Sequence, residues 1–187
     1  MERETDRNMM KKISLLVLLG LAFGLQAQKM KTRSGFVKFY SDAAVEDITA
    51  ENRQMSSILD FEGGKFAFLV PIKAFEFEKA LMQEHFNENY MESGKYPNAS
   101  FKGSVEGLSE IDLEKDGTYE MNFSGVMTIH GQSKEISETV NIVVKEGKVT
   151  LEASFMLKCS DYGIEIPATK SDNIANDLQI TVKIDYA

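Results

Sequence analysis

The chain has 187 residues, the length of one domain. Its 21 Lys and Arg stand against 29 Asp and Glu, and the net charge of −8 excludes a general nucleic-acid binder, which needs a basic surface to displace counterions from phosphates. Hydrophobic residues at 43% and charged ones at 27% describe a globular chain, and one Cys with two His is too few for a disulfide framework or a zinc site of those residues.

In chain order, Lys11-Lys12 precede an apolar run from Ile13 to Leu25, and Gln26-Ala27-Gln28 follow. A short basic region, an apolar core and a small residue predict a secretory signal peptide over residues 1–27, cut after Ala27. Residues 28–187 are then the exported domain, periplasmic or secreted. The polar stretch Met1–Met9 does not suit a signal start and points to Met10 as the initiator. The run is too short for a membrane anchor, and no Cys follows it to carry a lipid. Cys159 has no partner for an internal disulfide, and an exported thiol is better buried than exposed.

Past this segment the chain alternates with a period of two, the spacing at which side chains share one face of a strand. Phe36–Tyr40, Ser57–Phe61, Lys65–Ile72, Ala99–Gly107, Thr118–Ile129, Lys134–Lys145, Lys148–Leu157 and Asp177–Tyr186 read as strands. Glu62-Gly63-Gly64, Asp116-Gly117, His130-Gly131 and Glu146-Gly147 read as turns. None is the continuous apolar run of a parallel sheet, so the strands are predicted antiparallel. Ala43–Ser56 is polar and acidic and reads as a connection, as does Glu110–Asp116, which lacks the spacing of a calcium loop. Phe77–Tyr90 breaks the rule. Phe77 and Leu81, Met82 and Phe86, and Phe86 and Tyr90 lie four apart, which predicts one amphipathic helix. The fold class is therefore all-β: an antiparallel eight-stranded barrel with one helix, because closure removes exposed edges, with a sandwich as the alternative.

Three segments carry a family resemblance. Lys95-Tyr96-Pro97-Asn98-Ala99-Ser100-Phe101 resembles the Y-P-x-A-x-F signature of the YceI-like family. Gly125–Lys134 (GVMTIHGQSK) is similar to its G-x-L-T hairpin, and Asp161-Tyr162-Gly163-Ile164 to its D-F-G-I element. They occur in the family's order, and with the strand pattern they cover most of residues 28–187. The resemblance implies a lipocalin-like barrel that binds a polyisoprenoid or another amphipathic lipid. The family's glycine-containing run after the first strand is replaced here by Ala43–Ser56.

A tunnel for such a chain needs apolar walls, since burial of area, at about 25 cal/mol per Å², is the whole driving force for a tail without polar groups. The candidate lining is Val37, Phe39, Phe66, Phe68, Phe101, Tyr119, Met121, Phe123, Val140, Ile142, Phe155 and Ile180. Packed core is the ordinary alternative for each. The helix and the loop after it, Phe77–Tyr96, would gate or plug one end through Leu81, Met82, Phe86, Tyr90 and Met91. Catalytic groupings are absent from the sequence: no GxSxG, phosphate loop, Rossmann fingerprint or HExxH occurs. His130 reads as a turn residue. His85 reads as a helix-surface residue or a headgroup contact. The sequence thus predicts a non-catalytic lipid carrier without cofactor, metal or nucleic-acid partner. The alternative is a filled barrel acting as an interaction or stress-response module.

Overall fold

The alternating stretches pair into one sheet that closes on itself. The computed structural model describes residues 29–186, so the predicted signal peptide lies outside the described residues. The strands are β1 (Lys29–Ser41), β2 (Ile48–Asp60), β3 (Lys65–Pro71), β4 (Glu76–Phe77), β5 (Asn98–Val105), β6 (Gly117–Ile129), β7 (Gln132–Lys145), β8 (Lys148–Lys158) and β9 (Asp177–Tyr186). Neighbours run β1-β9-β8-β7-β6-β5-β3-β2, and β2 pairs back onto β1. Eight antiparallel strands thus form a closed barrel, and the two-residue β4 lies beside β2 outside the ring. The expected barrel, rather than the sandwich, is what the chain forms.

The turns follow local chemistry. His130-Gly131 and Glu146-Gly147 each have two positive φ angles, the geometry of a two-residue type I′ hairpin, and they join strands that pair up to Ile129↔Gln132 and Lys145↔Lys148. Asp116-Gly117 is not a turn of this kind. Gly117 opens β6, and Asp116 Oδ1 instead accepts the Glu146 N–H at 2.8 Å, capping the neighbouring hairpin.

Two further expectations are corrected. Ala43–Ser56 is a connection only as far as Asp47, because Ile48–Ser56 forms most of β2. Its polar residues mislead because they face outward from a wall whose buried positions are Ala50, Asn52 and Met55. Asn52 is fully buried yet satisfied: its amide donates to Pro71 O at 2.8 Å and its Oδ1 accepts the Gln54 N–H at 2.8 Å. The helix begins later than Phe77, since Glu76 and Phe77 pair with Glu51 and Ala50 of β2. Helix α1 spans Ala80–His85 and continues as a π-turn, Phe86–Tyr90.

The barrel has two unlike ends. At one lie the β2–β3 turn, the β5–β6 loop and the β7–β8 hairpin. Leu59, Phe61, Phe66, Val105, Phe123, Val144, Val149, Leu151 and Ile184 pack there, and Leu108 and Ile111 of the β5–β6 loop join them. Apart from Ile111 and the partly buried Leu113, Glu110–Asp116 is solvated, as its sequence suggests. Tyr186 crosses this end from β9 to β2. Its hydroxyl donates to Ser57 Oγ at 2.6 Å, and that hydroxyl in turn donates to Ala67 O at 3.0 Å. Burial holds the Tyr186 phenol far above its usual pKa, so the donor stays protonated.

The wall bends where β5 and β6 approach closely. Gly103 and Gly125 are paired across the two strands. A Cβ on Gly125 would overlap Gly103 and the Lys102 carbonyl, while the Phe101 ring already fills the space a Cβ on Gly103 would need. Gly125→Ala is therefore expected to lower stability by about 1–3 kcal/mol, from overpacking. Gly94→Ala, whose Cβ meets nothing within 4 Å, should stay within about 0.5 kcal/mol. Urea unfolding of both variants checks this, and equal midpoints would contradict the close approach.

Candidate functional site

The other end of the barrel is open and hollow. The mouth is built from the β1–β2 loop, the segment between β3 and β5 that carries α1, the β6–β7 hairpin and the long β8–β9 loop. An inner chamber of about 100 Å³ lies between Val37, Phe68, Val70, Ala99, Met127, Ile129, Phe155, Leu157, Ile180 and Val182. An outer chamber of about 220 Å³ continues from it past Phe77, Met82, Ile166, Ile174 and the buried Ser41 to a rim of Glu46, His85, Tyr90, Lys170 and Asn173. The two share Phe39, Phe86, Met91, Cys159, Ile164 and Leu178, so they are successive parts of one channel. Each falls below the roughly 300–1,000 Å³ common for small-molecule sites, and together they reach the lower end of that range.

The twelve predicted lining residues divide by their height in the barrel. Val37, Phe39, Phe68, Phe155 and Ile180 line the channel. Phe66, Phe101, Phe123, Val140 and Ile142 are buried in the core outside it. The rings of Phe66, Phe101 and Phe123 pack tilted and edge-to-face with centroid separations of 5.0–6.3 Å, which leaves no space between them for a chain. Tyr119 and Met121 are half-buried against the same core. Alternation identifies the inward face but not the depth along the axis, so the packed half and the hollow half look alike in sequence.

The sequence reading missed Val70, Phe75, Ala99, Ile129, Leu157, Cys159, Ile164, Leu178 and Val182 among others, and it had Met127 only as a candidate adaptable wall. Met127, Ile129, Leu157 and Leu178 continue inward-facing stripes already visible by alternation. Cys159 and Ile164 reach the channel through a 3₁₀ turn, Cys159–Tyr162, ended by Gly163 in the left-handed region. Nothing in their spacing signals that.

The helix sits at the mouth. Phe86 packs on Phe39, Phe75 and Phe77 at centroid distances of 5.6, 5.5 and 5.0 Å. The π-turn is closed by the Met91 N–H donating to Phe86 O at 2.8 Å, a bond spanning five residues. That wider turn brings Met91 to the same channel wall as Phe86. Met82 and Tyr90 line the outer chamber, but Leu81, expected on the mouth, is 61% exposed. Its place on the stripe depended on a helix starting at Phe77.

The three sequence motifs meet at one corner of the mouth. The His130 ring packs edge-on against Tyr96 at 4.7 Å. Its Nδ1 lies 3.3 Å from Tyr162 O, and its Nε2 lies 2.9 Å from Glu92 Oε2. Lys134 Nζ pairs with Asp161 Oδ1 at 3.0 Å. His130 is thus more than a turn residue: it ties the loop after the helix to the β8–β9 loop.

Residues 26–186 match the sequence profile of the YceI-like domain. The chain belongs to the YceI-like family. Among solved structures this YceI-like chain is similar to a polyisoprenoid binding domain from Saccharophagus degradans, with a TM-score of 0.76 and 13% identity over 86% of this chain and 98% of that one. It is similar to BcnA from Burkholderia cenocepacia, with a TM-score of 0.68 and 14% identity over 82% of this chain and 96% of that one. A YceI protein from Campylobacter jejuni has a TM-score of 0.59 and 17% identity over 76% and 86% of the two chains. At these identities the likeness is one of fold. No curated protein matches the chain by sequence.

Among the described residues, no group of three or more His, Cys, Asp or Glu is arranged to hold a metal ion. No helix among them is long and apolar enough to cross a membrane.

Cys159 offers a direct probe of the channel, because it borders both chambers. Burial, followed by the nearby Asp177 carboxylate, pushes its thiol up to about 11. The thiolate is the reactive form. Iodoacetamide at pH 7.5 should therefore modify Cys159 roughly a hundredfold more slowly than the urea-unfolded chain. The rate should climb about tenfold per pH unit towards pH 10. Equal rates in folded and unfolded protein would contradict a buried Cys159.

Proposed function

We propose that this YceI-like protein is an exported, non-catalytic carrier that holds the apolar chain of an isoprenoid or similar lipid in the mouth half of its barrel. The observation that carries the reading is the channel itself: an apolar inner chamber opens into an outer one whose polar groups, apart from the buried Ser41, are gathered at the rim. That arrangement suits a ligand with a hydrocarbon tail and a polar end. Each buried methylene contributes about 0.8 kcal/mol. The fold shared with a domain described as polyisoprenoid binding supports the same reading. The basic and apolar pattern of Lys11–Gln28 supports export. The filled-barrel alternative drew on Ala43–Ser56 as a gap in the barrel wall, and most of that stretch is strand.

The carrier is tested by organic extraction of the protein purified from its native compartment, with mass spectrometry of the extract. A reproducible stoichiometric lipid is expected. Protein that is empty and refuses added isoprenoids would overturn the reading. Ala99→Leu, which extends a side chain into the inner chamber, should reduce lipid affinity at least tenfold while leaving the far-UV spectrum unchanged. Undiminished binding would remove the inner chamber from the site.

The helix is proposed as the gate through Phe86 and Tyr90, and stopped-flow lipid uptake separates gate from plug. Phe86→Ala, which removes a partly buried ring from a packed aromatic cluster, should lower stability by less than the roughly 3–5 kcal/mol that a fully buried ring costs. A gate changes uptake rates in folded Phe86→Ala and Tyr90→Ala protein. A fixed plug lowers stability and leaves those rates alone.

A further inference from the structure

We propose that the outer chamber selects an anionic, acceptor-rich headgroup, a carboxylate or a phosphate ester, on a single apolar chain. This deepens the lipid-carrier reading and rests on it. The argument comes from which polar groups of the chamber are already occupied. Ser41 is buried, and its Oγ accepts the Ala175 N–H at 2.9 Å. Glu46 is the one carboxylate bordering the chamber among the described residues, and Lys79 pairs with it. What remains is Lys170, His85, Tyr90 and Asn173, whose side chains make no hydrogen bond or ion pair among the described residues.

These four groups are chiefly donors. A lysine ammonium has three N–H donors and no acceptor, and the others each add a hydroxyl, amide or ring N–H. A ligand that leaves them facing bare hydrocarbon forfeits their hydrogen bonds. A charged acceptor forms the stronger, charge-assisted kind with Lys170.

The backbone that carries the cation is also held in place. Lys170 O accepts both the Asn173 and Ile174 N–H groups at 3.0 Å. The Val45 N–H donates to Asp172 O at 2.9 Å, and Ser41 anchors Ala175. The turn bearing Lys170 and Asn173 is thereby fixed to the β1–β2 loop, so a ligand has to order the Lys170 side chain but not its backbone. The net charge of −8 opposes an anion, but Lys79 offsets Glu46 at the chamber, and salt screens charges beyond about 8–10 Å. The modest chamber volumes favour one chain over two.

The test compares ligands with one tail and different heads. Dodecanoate, dodecyl phosphate and 1-dodecanol are titrated calorimetrically into the delipidated protein at pH 8, below their aggregation limits, with inorganic phosphate as a headless control. At least one anion should bind tenfold or more tighter than the alcohol, and whichever binds more tightly identifies the head as carboxylate or phosphate ester. Lys170→Gln, at an exposed position, should bring that anion to within about threefold of the alcohol, with the melting temperature unchanged. Equal binding of alcohol and anions, an anion affinity indifferent to Lys170→Gln, or inorganic phosphate binding as tightly as the dodecyl ester would each overturn the headgroup assignment while the carrier reading stands. Failure of all three dodecyl ligands to bind would overturn both.

Discussion

The pairing of β1 with strands on both its sides creates an interior. β1 runs beside β2 from Lys29↔Asp60 to Ser41↔Ile48, and from Phe36 to Tyr40 it also pairs with β9. The register shifts on either side of Gly35, where a Cβ would press on Met55, and the irregularity lets the strand bend between its two partners. With that seam made, the eight-stranded ring has no free edge. The inward stripes of eight strands then face one another instead of solvent. The channel, the helix seat and the burial of Cys159 all follow from that closure.

The interior so formed is not uniform. Towards the β5–β6 loop, phenylalanines from three adjacent strands pack edge against face, and the loop adds Leu108 and Ile111, so that end is solid. Towards the β8–β9 loop, the phenylalanines and methionines line walls around open space, and the helix sits at the mouth. Polarity follows the same axis: the inner chamber is bordered by apolar side chains and the rim carries the charged and hydrogen-bonding ones. A solid base gives the barrel its stability independently of any ligand, and the open half is free to be shaped for binding.

At the mouth, residues far apart in sequence hold the loops in register. His130 bridges Glu92 and Tyr162, and Lys134 bridges to Asp161. The loop that follows the helix and the loop that bears Ile164 and Lys170 are therefore joined at the β6–β7 hairpin. This explains why three short motifs, individually unremarkable, identify the family as an ordered set: they are the parts of one corner. The π-turn completes the arrangement by bringing Phe86 and Met91 to one wall, a pairing that the 3.6-residue period does not anticipate.

The sequence by itself determined the strands, their antiparallel sense, the two His-Gly and Glu-Gly hairpins and the presence of one helix, because period-two alternation and turn chemistry are local properties. It also determined which face looks inward along Phe36–Tyr40, Lys65–Ile72, Lys148–Leu157 and Asp177–Tyr186. It misread Ile48–Ser56, where buried Asn52 and small Ala50 interrupt the apolar stripe, and it placed the helix start too early, where β4 captures Glu76 and Phe77. Of the candidate lining, Phe39 and Phe123 have the same pattern in sequence, yet Phe39 borders the channel and Phe123 lies in the packed base. Only the tertiary structure decided between them. Depth along a barrel axis depends on strand register and on what the loops at each end carry, and both are set by contacts between residues distant in the chain.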